Sequence, residues 1–255
     1  MDPRLKAFER LLNVMDELRA KCPWDKKQTI ETLRPLTIEE TYELCDAIID
    51  GDWNSIKEEL GDIILHIVFY AKIADENKKF DISNVLNAIC EKLIHRHPHI
   101  YGDVKVTNEE EVKKNWEKLK LKEGKDSILD GVPNSLPALV KAGRIQEKVA
   151  QYGFEWNDID DVWKKVKEEV EELKVALSSG NKKNIEEEFG DVLFSFVNYA
   201  RFINVNPENA LAIVNKKFIK RFKYIEITSK NINKPIDEMS LEEMDRLWEE
   251  SKVQE

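Results

Sequence analysis

Two stretches of the chain set a nearly unbroken apolar run directly after a cluster of acids: "IKEELGDIILHIVFYA" at 56–71 and "IEEEFGDVLFSFVNYA" at 185–200. Each follows a polar break, "DGDWNS" (50–55) or "SSGNKK" (178–183), and each break follows an acidic segment of helical period. The pattern predicts a helix, a turn and a second helix in both places. Within the second helix, residues 63–71 and 192–200 are apolar nearly all round. They are therefore expected to be buried against several neighbours, at the centre of a bundle or of a subunit interface.

The two stretches belong to an internal repeat. Residues 38–71 align with 167–200 without a gap, at an offset of 129 positions. Glu39, Glu40 and Glu43 fall on Glu168, Glu169 and Glu172, and Glu59 and Asp62 fall on Glu188 and Asp191. Further on, "EKLIHRHPHIY" (91–101) matches "KKFIKRFKYIE" (216–226) at an offset of 125, pairing Lys92 with Lys217 and Arg96 with Arg221. Between the halves, Gly124, Gly131, Pro133 and Pro137 interrupt helical periodicity. This organisation predicts a first domain over 1–123, a linker over 124–135 and a second domain over 136–255. The "GFEW" at 153–156 echoes the "CPWD" at 22–25.

Composition points the same way. Only 9 glycines and 8 prolines occur in 255 residues, and helix formers dominate the rest, so an all-α fold of two tandem helical bundles is expected. The formal charge of −10 excludes a general nucleic-acid binder, which would need clustered Lys and Arg against phosphates. Cys22, Cys45 and Cys90 lie far apart and form no CxxC pair, which argues against a zinc or disulfide framework. No segment approaches the roughly 20 apolar residues that span a bilayer, and the charged start of the chain is unlike a signal peptide. A cytoplasmic location with no membrane partner is the expectation.

The acids carry the candidate chemistry. Positions i and i+3 share one helix face, so Glu169 and Glu172 project together from one helix, and Glu188 and Asp191 from the next. An antiparallel hairpin brings the four carboxylates together as a site for a hard cation, Mg²⁺ with Mn²⁺ as a substitute. One such pair in a Glu-rich chain is ordinarily a solvated face. Two pairs, a turn between them and the same set at Glu40, Glu43, Glu59 and Asp62 favour metal binding. Glu188 and Asp191 also sit beside an apolar run, where carboxylates need partners.

Lys217 and Arg221 share a helix face and suit the terminal phosphates of a nucleotide. Trp248 has a first-half counterpart in Trp116, with Lys252 opposite Lys120; Trp248 and Lys252 are further candidate nucleotide contacts. Asn198 stands where the first copy has Phe69, and only the amide could reach a ligand group. A possible second site comprises Lys92, Arg96 and Lys120 beside the first acidic set. His95, His97 and His99 alternate in a manner that suggests a transition metal, but Pro98 breaks the helix between them and a turn of surface or interface histidines is expected instead.

Several motifs in order, "CPWDKKQT", "EETYELCDAI", "EELGDIILHIVFYA", "RHPHIYGD", "LDGVP", "GFEW", "EEEFGDVLF" and "VNKKFIKRF", resemble the MazG family of all-α nucleoside triphosphate pyrophosphohydrolases, with two tandem MazG domains. The resemblance implies Mg²⁺-dependent hydrolysis of a nucleoside triphosphate between its α and β phosphates, giving a nucleoside monophosphate and pyrophosphate. It carries the family's metal positions onto Glu169, Glu172, Glu188 and Asp191, which also make up the catalytic set. Its nucleotide contacts fall on Lys217, Arg221 and Trp248 and on the stretches holding Lys165, Glu168 and Glu187. It also implies a homodimer built through helical bundles, with the second copy as the more dependable catalytic one. The competing readings are a non-catalytic helical module that binds metal and nucleotide, and a hydrolase acting chiefly on pyrophosphate.

Overall fold

The computed structural model describes residues 2–108, 111, 112, 115, 116, 119 and 127–253. Among the described residues the chain is helical with no strand, and it forms two compact units, Met1–Lys120 and Leu121–Glu255. None of the described helices is long and apolar enough to cross a membrane.

In the first unit, α1 (Pro3–Lys21) is capped by Asp2, whose side chain accepts from the backbone N–H of Arg4. Thr29 and Thr32 form a reciprocal capping box at the start of α2 (Ile30–Asp50), which stops at Gly51 in the left-handed region, φ 68°. Asp52 caps α3 (Trp53–Glu76). Asp81 and Asn84 cap α4 (Ile82–Arg96), and Pro98 starts the short α5 (Pro98–Tyr101).

The second unit repeats the plan. Helix α6 (Ala138–Ala150) precedes α7 (Ile159–Ser179), which Asp158 caps and Gly180 ends, again at φ 68°. Asn181 caps α8 (Lys182–Phe202), Asn206 caps α9 (Pro207–Asn231), and a Ser240–Glu243 capping box opens α10 (Leu241–Lys252). The starts of α2 and α7, and of α3 and α8, differ by the 129 positions of the sequence repeat, and those of α4 and α9 by 125. Helix α9 runs on where the first copy is cut, because Lys223 occupies the position of Pro98.

The core of the first unit gathers Met15, Leu33, Val68, Phe69 and Ile73. In the second unit Val162, Val166, Val192 and Val197 are buried on α7 and α8, and Ile225, Met239 and Leu247 pack near the end of the chain. The apolar runs are only half covered. On α8, Val192, Ser195 and Val197 face inward, while Phe189, Leu193 and Phe196 are between 43% and 54% exposed. Leu60, Ile64 and Ile67 on α3 repeat that stripe, at 44–46% exposed. The expectation of helices buried all round thus holds within each unit for one face and fails for the other.

Candidate active site

Gly180 lets the chain reverse between α7 and α8, which lie side by side along their lengths. That hairpin turns two i, i+3 acidic pairs into one cluster. Glu169, Glu172 and Glu188 each offer a carboxylate oxygen, and these atoms all lie within 4.8 Å of one another. Glu169 is buried, Glu188 half-buried and Glu172 exposed. Asp191, one turn beyond Glu188, is exposed at the edge of the adjoining cavity. The strongly desolvated acid is therefore Glu169 on α7, rather than the pair next to the apolar run.

Desolvation and the neighbouring Glu169 push the Glu172 carboxyl above its ordinary range, with Glu188 adding to the effect. Lys165 partly offsets this crowding. Its Nζ donates to Glu168 at 2.7 Å and lies 2.7 Å from Glu169, and these contacts raise the lysine's own proton affinity.

Beside the cluster, α6, α8 and the loop at 153–156 enclose a cavity of about 530 Å³, within the range of small-molecule sites. Glu169, Asp191, Lys165 and Asn198 line it together with Gln146, Trp156, Phe154 and Arg201. Gln146 is 5% exposed, and its Nε2 donates to the Phe194 carbonyl at 2.8 Å. Arg201 Nη2 donates to Glu155 at 2.6 Å and to Asn198 Oδ1 at 2.9 Å. Gln146 Oε1 and Arg201 Nε are buried with no hydrogen-bond partner.

The remaining sequence candidates have partners of their own or are exposed. Glu168 is bonded to Lys165, and Glu187 is 3.7 Å from Lys183; both acids are exposed. Lys217 is exposed on α9. The Arg221 guanidinium lies over the Trp248 ring at 5.5 Å, and the same ring lies 5.0 Å from that of Phe218. Lys252 pairs with Glu249 on its own helix.

The first unit repeats the cluster without its surroundings. Glu40, Glu43 and Glu59 also bring ligand atoms within 4.8 Å of one another. Burial, then Asp62, Glu43 and Glu59, raise the Glu40 carboxyl; burial and Glu43 raise that of Glu59. Yet Leu36 stands where the second copy has Lys165, and Lys72 where it has Arg201. Phe69, the counterpart of Asn198, is sealed in the core under the Arg19 guanidinium, 5.5 Å away. Lys92 is exposed on α4, Arg96 ends that helix, and Lys120 lies outside the described residues. His97 Nδ1 donates to the Leu93 carbonyl of its own turn (2.6 Å), and its ring packs near Trp116. Among the described residues, the three histidines form no metal-holding group.

Sequence reasoning missed Gln146, Glu155 and Arg201. The signal for Arg201 was present, since the repeat replaces it by Lys72 just as it replaces Asn198 by Phe69. Gln146 had none, because α6 lies outside the aligned stretches.

Comparison with known proteins matches the MazG nucleotide pyrophosphohydrolase domain twice, over residues 28–101 and 159–225. The nucleoside triphosphate pyrophosphohydrolase/pyrophosphatase MazG of Thermotoga maritima is 43% identical over 250 residues, 96% of this chain and 95% of that protein. The nucleoside triphosphate pyrophosphohydrolase of Escherichia coli K12 is 39% identical over 260 residues, 98% of this chain and 99% of its own length. A crystal structure of a mazG-related protein from Thermotoga maritima aligns with a TM-score of 0.40 at 33% identity, covering 44% of this chain and 98% of that one.

Proposed function

Because the chain belongs to the MazG nucleotide pyrophosphohydrolase domain family, we propose that it splits nucleoside triphosphates between the α and β phosphates at the carboxylate cluster of its second unit. As a member of that family it is an enzyme of the nucleoside triphosphate pyrophosphohydrolase class. The products are a nucleoside monophosphate and pyrophosphate. The observation that carries this reading is the convergence of Glu169, Glu172 and Glu188 within 4.8 Å beside a cavity of about 530 Å³.

A donor set made wholly of carboxylate oxygens fits a hard divalent cation, and desolvation together with the charge of Glu169 raises the Glu172 carboxyl, a strain such a cation would relieve. Glu169, Glu172, Glu188 and Asp191 would hold Mg²⁺, with Mn²⁺ able to substitute. When bound, the ion supplies charge neutralisation for the polyphosphate and a more acidic water. Water adds to phosphorus as the bond to the bridging oxygen breaks, and its proton passes to a carboxylate. Glu169 and Glu172 are the candidates to accept it; Glu169 is committed to Lys165, which leaves Glu172 the better placed. Lys165 and Asn198 face the cavity and orient the nucleotide there, while Lys217 and Arg221 suit its terminal phosphates. Trp248 holds the Arg221 guanidinium in place, and Lys252 belongs to the same pair of helices.

The apolar stripes argue for a homodimer. Leu60, Ile64 and Ile67 recur as Phe189, Leu193 and Phe196, and Leu86, Ile89 and Leu93 recur as Leu211, Val214 and Phe218, every one of them exposed. Exposed apolar rows of this kind are covered by another helical layer, here a second copy of the chain. Unbridged Cys22, Cys45 and Cys90 suit a cytoplasmic location.

The test is product analysis. The protein incubated with each nucleoside triphosphate and Mg²⁺ is expected to release monophosphate and pyrophosphate. Diphosphate and phosphate, or turnover of pyrophosphate alone, would overturn the reading.

A further inference from the structure

Gln146 is an amide whose two ends have unequal fates. Its Nε2 is committed to the Phe194 carbonyl, so the side chain cannot be turned end for end without losing that bond. Its Oε1 is left buried with no partner, in a residue 5% exposed, on the wall of the cavity. A buried acceptor without a donor is costly, and such an atom in a ligand cavity is a demand for an N–H or O–H from outside. Arg201, which also lines the cavity, adds a buried and unpartnered donor at its Nε.

The charge of the cavity limits what can enter. Glu155, Glu169 and Asp191 line it alongside Gln146 Oε1. Lys165 and Arg201 line it too, but Lys165 is paired with Glu169 and Arg201 with Glu155, which leaves Asp191 and the Gln146 acceptor uncompensated, and neither favours a phosphate, which has no N–H to give. Trp156 is 46% exposed and Phe154 82% exposed on the loop after α6, leaving aromatic faces for a flat ring to stack on. A ring with a hydrogen-bonding edge that joins a donor to an acceptor fits both Gln146 Oε1 and Arg201 Nε, and every common nucleobase has such an edge. We propose that the cavity between α6 and α8 is the nucleobase pocket and that Gln146 is a specificity residue, its Oε1 accepting from an N–H on the edge of the base. This rests on the nucleotide reading of the neighbouring carboxylate cluster. Arg201 Nε donates to the adjacent acceptor of the same edge, and its bond to Asn198 holds both side chains in position.

The test compares kcat/KM for nucleotides that differ by one edge N–H: ATP against purine riboside triphosphate, CTP against zebularine triphosphate, and UTP against N3-methyl-UTP. For the wild-type protein, loss of the N–H from the preferred base is expected to lower kcat/KM about tenfold or more, while 2′-deoxy analogues are turned over nearly as well as their ribose forms. Gln146→Met is expected to erase the difference within the pair and leave the Mg²⁺ half-saturation unchanged. Gln146→Asn, which keeps both the amide donor and the acceptor oxygen, is expected to retain part of it. Equal turnover of every pair by the wild-type protein overturns the proposal whether or not either variant folds. Discrimination that survives in folded Gln146→Met, or that follows the sugar hydroxyl instead, overturns the role of Gln146. Absence of hydrolysis for all triphosphates would instead defeat the reading of the cluster itself.

Discussion

Lys165 Nζ lies 2.7 Å from the buried carboxylate of Glu169, one helical turn away, whereas the repeat places Leu36 one turn before Glu40. The same acidic cluster thus exists twice, once with a cation at its inner edge and once without. A lysine in that place cannot favour a metal ion, since like charges repel. Its benefit is to an anion that arrives with the metal.

Lys165→Leu is therefore expected to separate two constants. Loss of a charge-assisted contact should raise KM for the nucleotide about tenfold, while half-saturation by Mg²⁺ stays the same or tightens. Steady-state kinetics over a matrix of nucleotide and Mg²⁺ concentrations reads both. A weakened metal response with unchanged KM would show that Lys165 only shapes the carboxylate cage.

Glu172→Gln should lower turnover about 100-fold or more, on the scale at which metal-site groups act, and should at the same time raise the melting temperature of metal-free protein. The sign follows from the raised Glu172 carboxyl, led by desolvation. A carboxyl whose folded value lies above its unfolded one holds more protons when folded, so its contribution to stability falls as pH rises through that window. The melting difference between variant and wild type should be positive at neutral pH and shrink as pH approaches the ordinary glutamate value of about 4.3. Calorimetry in chelator across pH measures it; a variant less stable than wild type at pH 7 would contradict the repulsion.

The double variant Glu40→Gln with Glu43→Gln should keep most of the triphosphate turnover, because the first unit lacks the lysine, the amide and the arginine that border the second cavity. Its metal-free melting temperature should still rise, because burial and then the neighbouring acids raise the Glu40 carboxyl in the same direction. Loss of most turnover would place the principal catalytic site in the first unit.

Helix ends and acidic faces were legible because both are local. Gly51 and Gly180 stop their helices through the one backbone conformation that glycine adopts freely, and i, i+3 spacing alone sets which acids share a face. Which acid becomes desolvated was not legible. Glu169 and Glu188 look equivalent in sequence, and only the packing around α7 buries the first. The cavity was less legible still, since α6 meets α8 across 48 positions at Gln146 and Phe194, and no periodicity encodes that meeting. The neighbours of Trp248 were not legible either, since Arg221 and Phe218 approach its ring from another helix.

In the first unit Arg19 ties three segments together. It donates to the carbonyls of Asp25 and Gln28 and pairs with Glu76 on α3, with its side chain only 10% exposed. Arg19→Ala should destabilise the protein by about 2–3 kcal/mol, the scale for hydrogen bonds to charged groups, as read from urea denaturation. The Arg19 hydrogen bond holds the Glu76 carboxyl below its ordinary range. A depressed carboxyl contributes stability that is present above its unfolded value and lost as pH falls through the folded one. The gap between wild type and Glu76→Gln should accordingly be full near neutrality and close in acid. A gap that persists unchanged at low pH would mean that Glu76 acts by packing alone.

The exposed rows make a prediction about assembly. Phe189, Leu193 and Phe196 on α8 and Leu211, Val214 and Phe218 on α9 are each between 43% and 55% exposed, and each has an apolar counterpart at the repeat offset in the first unit. Rows so placed bury themselves most economically against the same rows of a second copy, in a self-complementary interface. Light scattering should find wild-type protein as a dimer, and Leu193→Glu with Phe218→Glu should yield monomer, since two charges at the centre of an apolar layer leave it with unpaired buried carboxylates. Glu169 and Glu172 lie on α7, outside those rows, so Mg²⁺ binding by the monomeric variant should be weakened less than assembly. A wild-type protein that runs as a monomer at every concentration would remove the dimer and leave the exposed rows without a cover.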